Sequence, residues 1–245
     1  MNEVIRQLFE RKSVRVFTDR QIDPADKALI LDAAAQAPTA GNQQLYTILD
    51  ITDQTIKEQL VRTCDNQPFI AQAKLVLIFC ADCLKWHDAF RLGGCQPRNP
   101  GVGDLLLAVS DAVIAAQNAV VAAQSLGIGS CYIGDIMENY EAQKALLQLP
   151  DYVFPAAMVV FGYPTEQQLR RSKPQRHSVE SLVHENGYDM EKSSAMDEML
   201  ATQQGRSGDD LADWIVRFCN RKWNSEFSRE MSRSCTEIVK SWCEE

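Results

Sequence analysis

The sequence predicts an α+β fold, and three observations carry that reading. Stretches of helical period outnumber strand-like runs and interleave with them irregularly. The strand-like runs, at residues 45–52, 75–80 and 156–162, are short and apolar, as buried strands are. Residues 104–126 are apolar on almost every face of a helix, which places that helix at the centre of the fold.

The elements follow in order. A short helix over residues 3–10 opens the chain, and the β-branched piece Val14-Arg15-Val16-Phe17 comes next. Asp23-Pro24 reads as an N-cap with Pro at the first helical position. The helix it starts carries Leu29, Ile30, Ala33 and Ala34 on one face and must stop before Pro38. Asp53 opens a helix with Ile56, Leu60 and Val61 in phase. Residues 96–103, rich in Pro, Gly and Asn, form a loop, and Gly127-Ile128-Gly129 ends the long helix. Residues 191–209 are polar and read as mobile. Two last helices, over about 210–221 and 230–242, complete a C-terminal extension. The chain therefore divides into residues 1–190 and an extension at 191–245.

Composition is that of an ordinary globular protein: 245 residues, 45% hydrophobic and 24% charged. A chain of this size buries roughly 70–75% of its unfolded surface and needs no staples. Lys+Arg 25 against Asp+Glu 33 leaves a net charge of -8, which argues against sequence-independent nucleic-acid binding but allows a local basic pocket. The start, Met1-Asn2-Glu3-Val4-Ile5-Arg6, has no apolar signal core. The most apolar stretch, 112–123, holds Gln117 and Asn118 and is too short for a bilayer. These features predict a cytoplasmic protein without a membrane partner, its eight cysteines as free thiols.

Four segments offer chemistry. Arg11-Lys12-Ser13-Val14-Arg15 clusters cations and a hydroxyl suited to a compact anion, although a solvated helix end would look the same. In Ala37-Pro38-Thr39-Ala40-Gly41-Asn42-Gln43-Gln44, small residues allow close backbone approach, and Asn42 and Gln44 bring amides that match the edge of a planar heterocycle. A plain helix-to-strand turn has the same composition. Gly129-Ser130-Cys131-Tyr132-Ile133-Gly134 would turn backbone N–H groups toward a ligand, with glycine spacing unlike a dinucleotide fingerprint. Arg170-Arg171-Ser172-Lys173-Pro174-Gln175-Arg176 packs more cations after Tyr163-Pro164.

In this order, the four segments resemble the FMN-dependent nitroreductase (flavin reductase) superfamily, over residues 1 to about 188. The resemblance implies an α+β fold with a mixed central sheet flanked by helices. It also implies an intertwined homodimer with FMN at the subunit interface. On it, Arg11, Lys12 and Ser13 hold the FMN phosphate and ribityl chain, and Lys173 and Arg176 add phosphate contacts. Arg15 lies beside the pyrimidine edge. Pro38, Thr39, Ala40 and Asn42 face the ring from the other subunit with Gln44 nearby, and backbone at Ile133 and Gly134 approaches N5. The implied reaction is ping-pong: NAD(P)H delivers a hydride, and a nitroaromatic, quinone or flavin acceptor then takes its place. Arg15 would act as electrostatic stabiliser of reduced FMN, and no residue is expected to act as a nucleophile.

Two departures stand out. Gln175 follows the Lys173-Pro174 pair where many relatives have Arg, so Arg171 or Arg176 is the substitute. The tail around Trp223, Phe227 and Trp242 exceeds the compact family core and must pack either on the partner near the flavin or on its own subunit. Rival readings use other residues. Cys80-Ala81-Asp82-Cys83 with His87 and Cys95 has ligand types for zinc or a dithiol pair. A non-catalytic flavin-binding protein of the same fold is a further alternative. His184 and His177 read as structural or exposed, and Asp104 and Asp111 as acids favoured in the first turns of the long helix. Residues 66–70 and 84–103, with Phe69, Trp86 and Phe90, are the expected loops over the acceptor.

Overall fold

A computed structural model of the chain describes residues 1–194 and 196–243. Two compact units emerge: Met1–Arg171 joined by the residues from Glu230 onward, and Ser172–Arg229.

In the first unit, α1 (Glu3–Glu10) is capped by the Asn2 side chain, which accepts from the Ile5 amide at 3.0 Å. Helix α2 (Pro24–Ala35) begins as its Asp23-Pro24 start requires, with Asp23 accepting from the Ala25 amide at 2.8 Å. Strand β1 (Tyr46–Asp50) leads into α3 (Gln54–Thr63), capped by Asp53. Then come α4 (Phe69–Gln72), β2 (Leu75–Asp82), α5 (Leu84–Leu92) and α6 (Val102–Ser125). The unit continues with β3 (Gly129–Ile133), α7 (Tyr140–Leu146), β4 (Val153–Gly162) and α8 (Glu166–Arg170).

The four strands form one sheet in the order β1-β2-β4-β3. Every residue of β2 and β4 is buried, because both faces of the sheet are covered. Alternation along β2 sends Leu77, Phe79 and Ala81 into a core with the α2 and α6 alanines, and Val76, Ile78 and Cys80 into a second core with Leu60 and Ile70. Each fully buried large side chain here contributes about 1.5–3 kcal/mol.

The sheet corrects one expectation. Every named strand pair is antiparallel, so it is not mixed. Among the described residues, parallel pairing is confined to the bridge between Ser13 and Ser130, and the β-branched piece at residues 14–17 that follows it forms no named strand, only an antiparallel bridge from Phe17 to Pro164. The segment passes from β3 at Ser130 to the residues just after β4 at Pro164, without a continuous ladder on either strand. Glycine makes the crossing possible: a Cβ at Gly129 would stand 2.6 Å from Val14 Cγ2, and one at Gly162 would stand 2.7 Å from Phe17 Cδ1.

Helix α6 is long and apolar enough to span a membrane by length and composition. One stripe of it, including Ala108, Ala112, Ala115 and Ala119, lies in the core against α2 and the sheet. The opposite side was expected to be buried as well, yet Leu106, Leu107, Val113 and Ile114 are exposed in the single chain. The expected loop at 84–103 contains α5, whose nine residues are too short to show a clear helical period.

The second unit holds α9 (Val179–Leu182), α10 (Met190–Ser194), α11 (Met196–Gln204) and α12 (Gly208–Lys222). Residues 191–209, read as mobile from their polarity, therefore carry helices. The expected extension at 191–245 does not coincide with a compact unit, and its residues Ala195, Glu244 and Glu245 lie outside the described residues. Helix α13 (Glu226–Cys243) starts in the second unit and runs back into the first. There Ile238 and Trp242 are buried in the core of their own chain, with the Tyr152 and Trp242 rings edge-on at 5.6 Å. Trp223, expected to need burial, is 81% exposed.

Candidate functional site

The N-terminal crossing segment builds a cationic cradle. Arg11 caps the end of α1, and its Nη1 is buried without a hydrogen-bond partner among the described residues. Such a guanidinium nitrogen is costly unless an anion meets it. The Val14 amide donates to the Ser130 carbonyl at 2.9 Å, locking Ser13 against β3. Burial pushes the Cys131 thiol up, while Arg15, Ser13 and Arg11 beside it pull the other way. Three groups singled out from the sequence thus converge on one point of β3. The Arg15 guanidinium also stands 5.9 Å from the Phe69 ring centroid, and its amide donates to Gln168 Oε1 at 3.2 Å. Gln168 is a buried positioning residue that sequence reasoning missed. The Tyr132 hydroxyl is pushed up to about 12 by burial, against the pull of Arg11.

Lys12 behaves differently. Its Nζ donates to the Leu169 carbonyl at 2.7 Å and to the Arg171 carbonyl, neutralising the C-terminal end of α8. The structure thus gives Lys12 the task of fixing that turn. At the far end of β3, Ile133 is buried, and a Cβ placed on Gly134 would meet no described atom within 4 Å. The backbone there is open to a ligand. Lys173 and Arg176 belong to the second unit, where Arg176 is exposed on a cavity shared with His177 and Glu198.

Residues 37–44 form a second feature, held by a residue whose role the sequence concealed. The buried Asp111 carboxylate of α6 accepts from the Thr39 hydroxyl, from the Ala40 amide at 3.1 Å and from the Leu45 amide at 3.2 Å. Thr39 Oγ1 accepts in turn from the Gln44 amide at 2.7 Å. The Trp86 indole donates to the Gln43 carbonyl at 2.6 Å, tying α5 to the same loop. Gly41, Asn42 and Gln44 adopt positive φ, with Gln43 at φ -84° between them, left-handed conformations that such pinning sustains. Pro38 and Asn42 are exposed, whereas the Gln44 side-chain amide is turned back onto the Ala35 carbonyl at 3.1 Å. A signal for Asp111 exists: it falls in register with Ala108, Ala112 and Ala115 on the buried stripe, where an acid needs partners. Asp104 caps α6 as an early acid should, accepting from the Gly101 amide at 2.8 Å and pairing with Arg98.

Beside this loop lies a mainly apolar cavity of about 400 Å³ with Trp86, Phe90, Leu45 and Leu107 in its wall. Cys83, His87 and Cys95 line it as well, but Cys80 and Cys83 are pushed up to about 12 by burial, which disfavours thiolate. All eight cysteines are unpaired, and no group of three potential ligands able to hold a metal occurs among the described residues. In the second unit, His184 Nδ1 accepts from the Asp189 amide at 2.8 Å, a structural task.

Fold and site together define an α+β protein with a basic cradle under one end of its sheet and a pinned, left-handed loop beside its central helix. The chain belongs to the nitroreductase family, whose profile matches residues 8–163. It is 30% identical over 241 residues to the FMN reductase (NAD(P)H) of Bacillus subtilis, covering 96% of this chain and 90% of that one. It is 36% identical over 205 residues to the oxygen-insensitive NADPH nitroreductase of Salmonella typhimurium, covering 82% of each. Among solved structures, B. megaterium NfrA2 superimposes with a TM-score of 0.76 at 28% identity, over 96% of this chain and 98% of that one.

Proposed function

We propose that this chain is an NAD(P)H-dependent FMN oxidoreductase, and the buried, unpartnered Arg11 Nη1 beside Ser13 and Arg15 is the observation that carries the reading. A phosphate-bearing planar cofactor fits that donor set: Arg11 and Ser13 meet the phosphate and ribityl chain, and open backbone at Gly134 leaves room for a ring. FMN, when bound there, supplies hydride acceptance from NAD(P)H and hydride donation to an oxidised acceptor.

The chain's own residues bind and orient. Arg15 provides fixed positive charge where negative charge accumulates on reduction, and its backbone is held by Gln168 so that the charge need not reorganise. Asp111 holds Thr39 and Ala40, and with them Pro38 and Asn42, as a wall for the ring of a second copy. Gln44 serves that loop from within. Lys173 and Arg176 carry their expected phosphate role from the family resemblance alone. The exposed stripe Leu106, Leu107, Val113 and Ile114 on α6, together with Val4 and Ile5 on α1, supports a homodimer reading. The cavity at Trp86 and Phe90 is the acceptor side, taking a nitroaromatic, quinone or flavin by apolar contact. The protein acts in the cytoplasm in a ping-pong cycle.

The test is a visible spectrum of the purified protein, followed by NADH and NADPH added separately without oxygen. Flavin bands that bleach support the reading, and the faster donor gives the nucleotide preference. Bands that persist with both donors support a non-catalytic flavin protein instead. A colourless protein that refuses added FMN overturns both.

A further inference from the structure

A second concentration of positive charge lies outside the flavin cradle. A polar cavity of about 340 Å³ opens between the N-terminal segment after Phe17, the start of α3 and the turn joining α4 to β2. Two lysines line it. Lys57 is only 8% exposed, and its Nζ donates a 3.3 Å hydrogen bond to the Ala73 carbonyl. Lys74 Nζ reaches Asp19 Oδ1 at 3.7 Å, and that carboxylate is fully exposed, so the pair is weak.

The charges around Lys57 do not cancel. Desolvation holds its amine below the ordinary lysine range, Asp50 opposes that shift, and Lys74 and Lys27 reinforce it. Asp50 is already engaged by the Lys27 ammonium. In a chain of net charge -8, two neighbouring ammoniums thus share a cavity whose one carboxylate among the described lining residues, Asp19, is fully exposed. Gln54 and Gln21 stand at its edge. Each donates one carboxamide hydrogen to a backbone carbonyl, at 3.3 Å to Ala71 and Asp19 respectively, which fixes both amides in place.

We propose that this cavity is a binding site for a small oxyanion, a phosphate- or carboxylate-bearing metabolite, held between the Lys57 and Lys74 ammoniums. Two cations and fixed carboxamides suit an acceptor with several oxygens, because each ammonium contributes charge-assisted donors and neither is saturated by the protein. An anion bridging them offsets the cost of holding Lys57 in the interior. The site does not depend on the flavin reading, since none of its residues belongs to the Arg11 cradle.

Titration calorimetry of the FMN-loaded protein tests this, with the flavin's own phosphate subsite already filled. Inorganic phosphate, succinate and chloride are compared at constant ionic strength. Saturable binding of phosphate or succinate at one site per chain, beyond the chloride response, is expected, and the stronger of the two identifies the ligand class. Lys57→Met and Lys74→Met should each weaken it by about 10- to 100-fold, the scale of one or two charged hydrogen bonds, without altering the flavin spectrum. Lys74 is less buried than Lys57, so its variant keeps the test open if Lys57→Met does not fold. Absence of saturable binding by either oxyanion overturns the proposal, as does binding undiminished in Lys74→Met.

Discussion

The Asp111 carboxylate, 3% exposed, accepts the Thr39 hydroxyl and in doing so sets the shape of a loop far from it in sequence. With the Ala40 and Leu45 amides it closes residues 39–45 around one side chain. Asp111→Asn keeps the size and removes an acceptor oxygen. It should cost about 1–3 kcal/mol in urea denaturation and raise the FMN dissociation constant. Wild-type stability in that variant would show that the loop holds itself.

Arg11 is the anchor of the cradle. Arg11→Ala should weaken FMN binding by about 10- to 100-fold in equilibrium dialysis, and Arg11→Lys should restore only part, because an ammonium cannot reproduce the guanidinium fork. Arg15→Ala should instead slow flavin reduction by NAD(P)H in stopped-flow absorbance, or lose FMN. Normal content with normal reduction rejects its role.

Gly129 faces Val14 so closely that a Cβ added there would stand 2.6 Å from Val14 Cγ2. Gly129→Ala should destabilise by about 1–3 kcal/mol through overpacking. Adding Val14→Ala should recover part of that loss, and a double-mutant cycle reads the coupling directly. Strict additivity would mean that the crossing segment relaxes freely.

Glu138 gives a pH signature. It is buried, and desolvation, followed by Asp135, Asp65 and Glu230, pushes its carboxyl up to about 8. The folded chain therefore keeps a proton that the unfolded chain releases near 4.5, so this residue lowers stability progressively as pH rises from about 4.5 to about 8. Glu138→Gln should match the wild type at pH 4 and exceed it above pH 8 by several degrees, at about 2–4 °C per kcal/mol. Thermal melts across that range check it, and parallel curves would remove Glu138 as the cause.

Trp242 closes the core from the last helix. Trp242→Ala should cost about 3–5 kcal/mol by cavity formation, measured by chemical denaturation. A loss near zero would mean that α13 is dispensable to the first unit.

Much of this protein was legible in its residues. Caps such as Asp23 and Asp53 act within three residues of themselves, so α2 and α3 start where their sequences say. The unbroken apolar runs of β2 and β4 mark strands covered on both faces, and the basic run at residues 11–15 marks the place where Arg11 Nη1 lies buried without a partner among the described residues. Other features depend on partners distant along the chain. Nothing near Lys12 reveals that its ammonium belongs to the carbonyls of Leu169 and Arg171, and nothing near Asp111 reveals Thr39. The antiparallel sheet, the crossing of residues 14–17 and the return of Trp242 to the core were likewise decided by tertiary packing. Local sequence determines backbone preference and apolar period, which are short-range. Which polar groups meet is determined only when packed layers bring distant segments within hydrogen-bond reach.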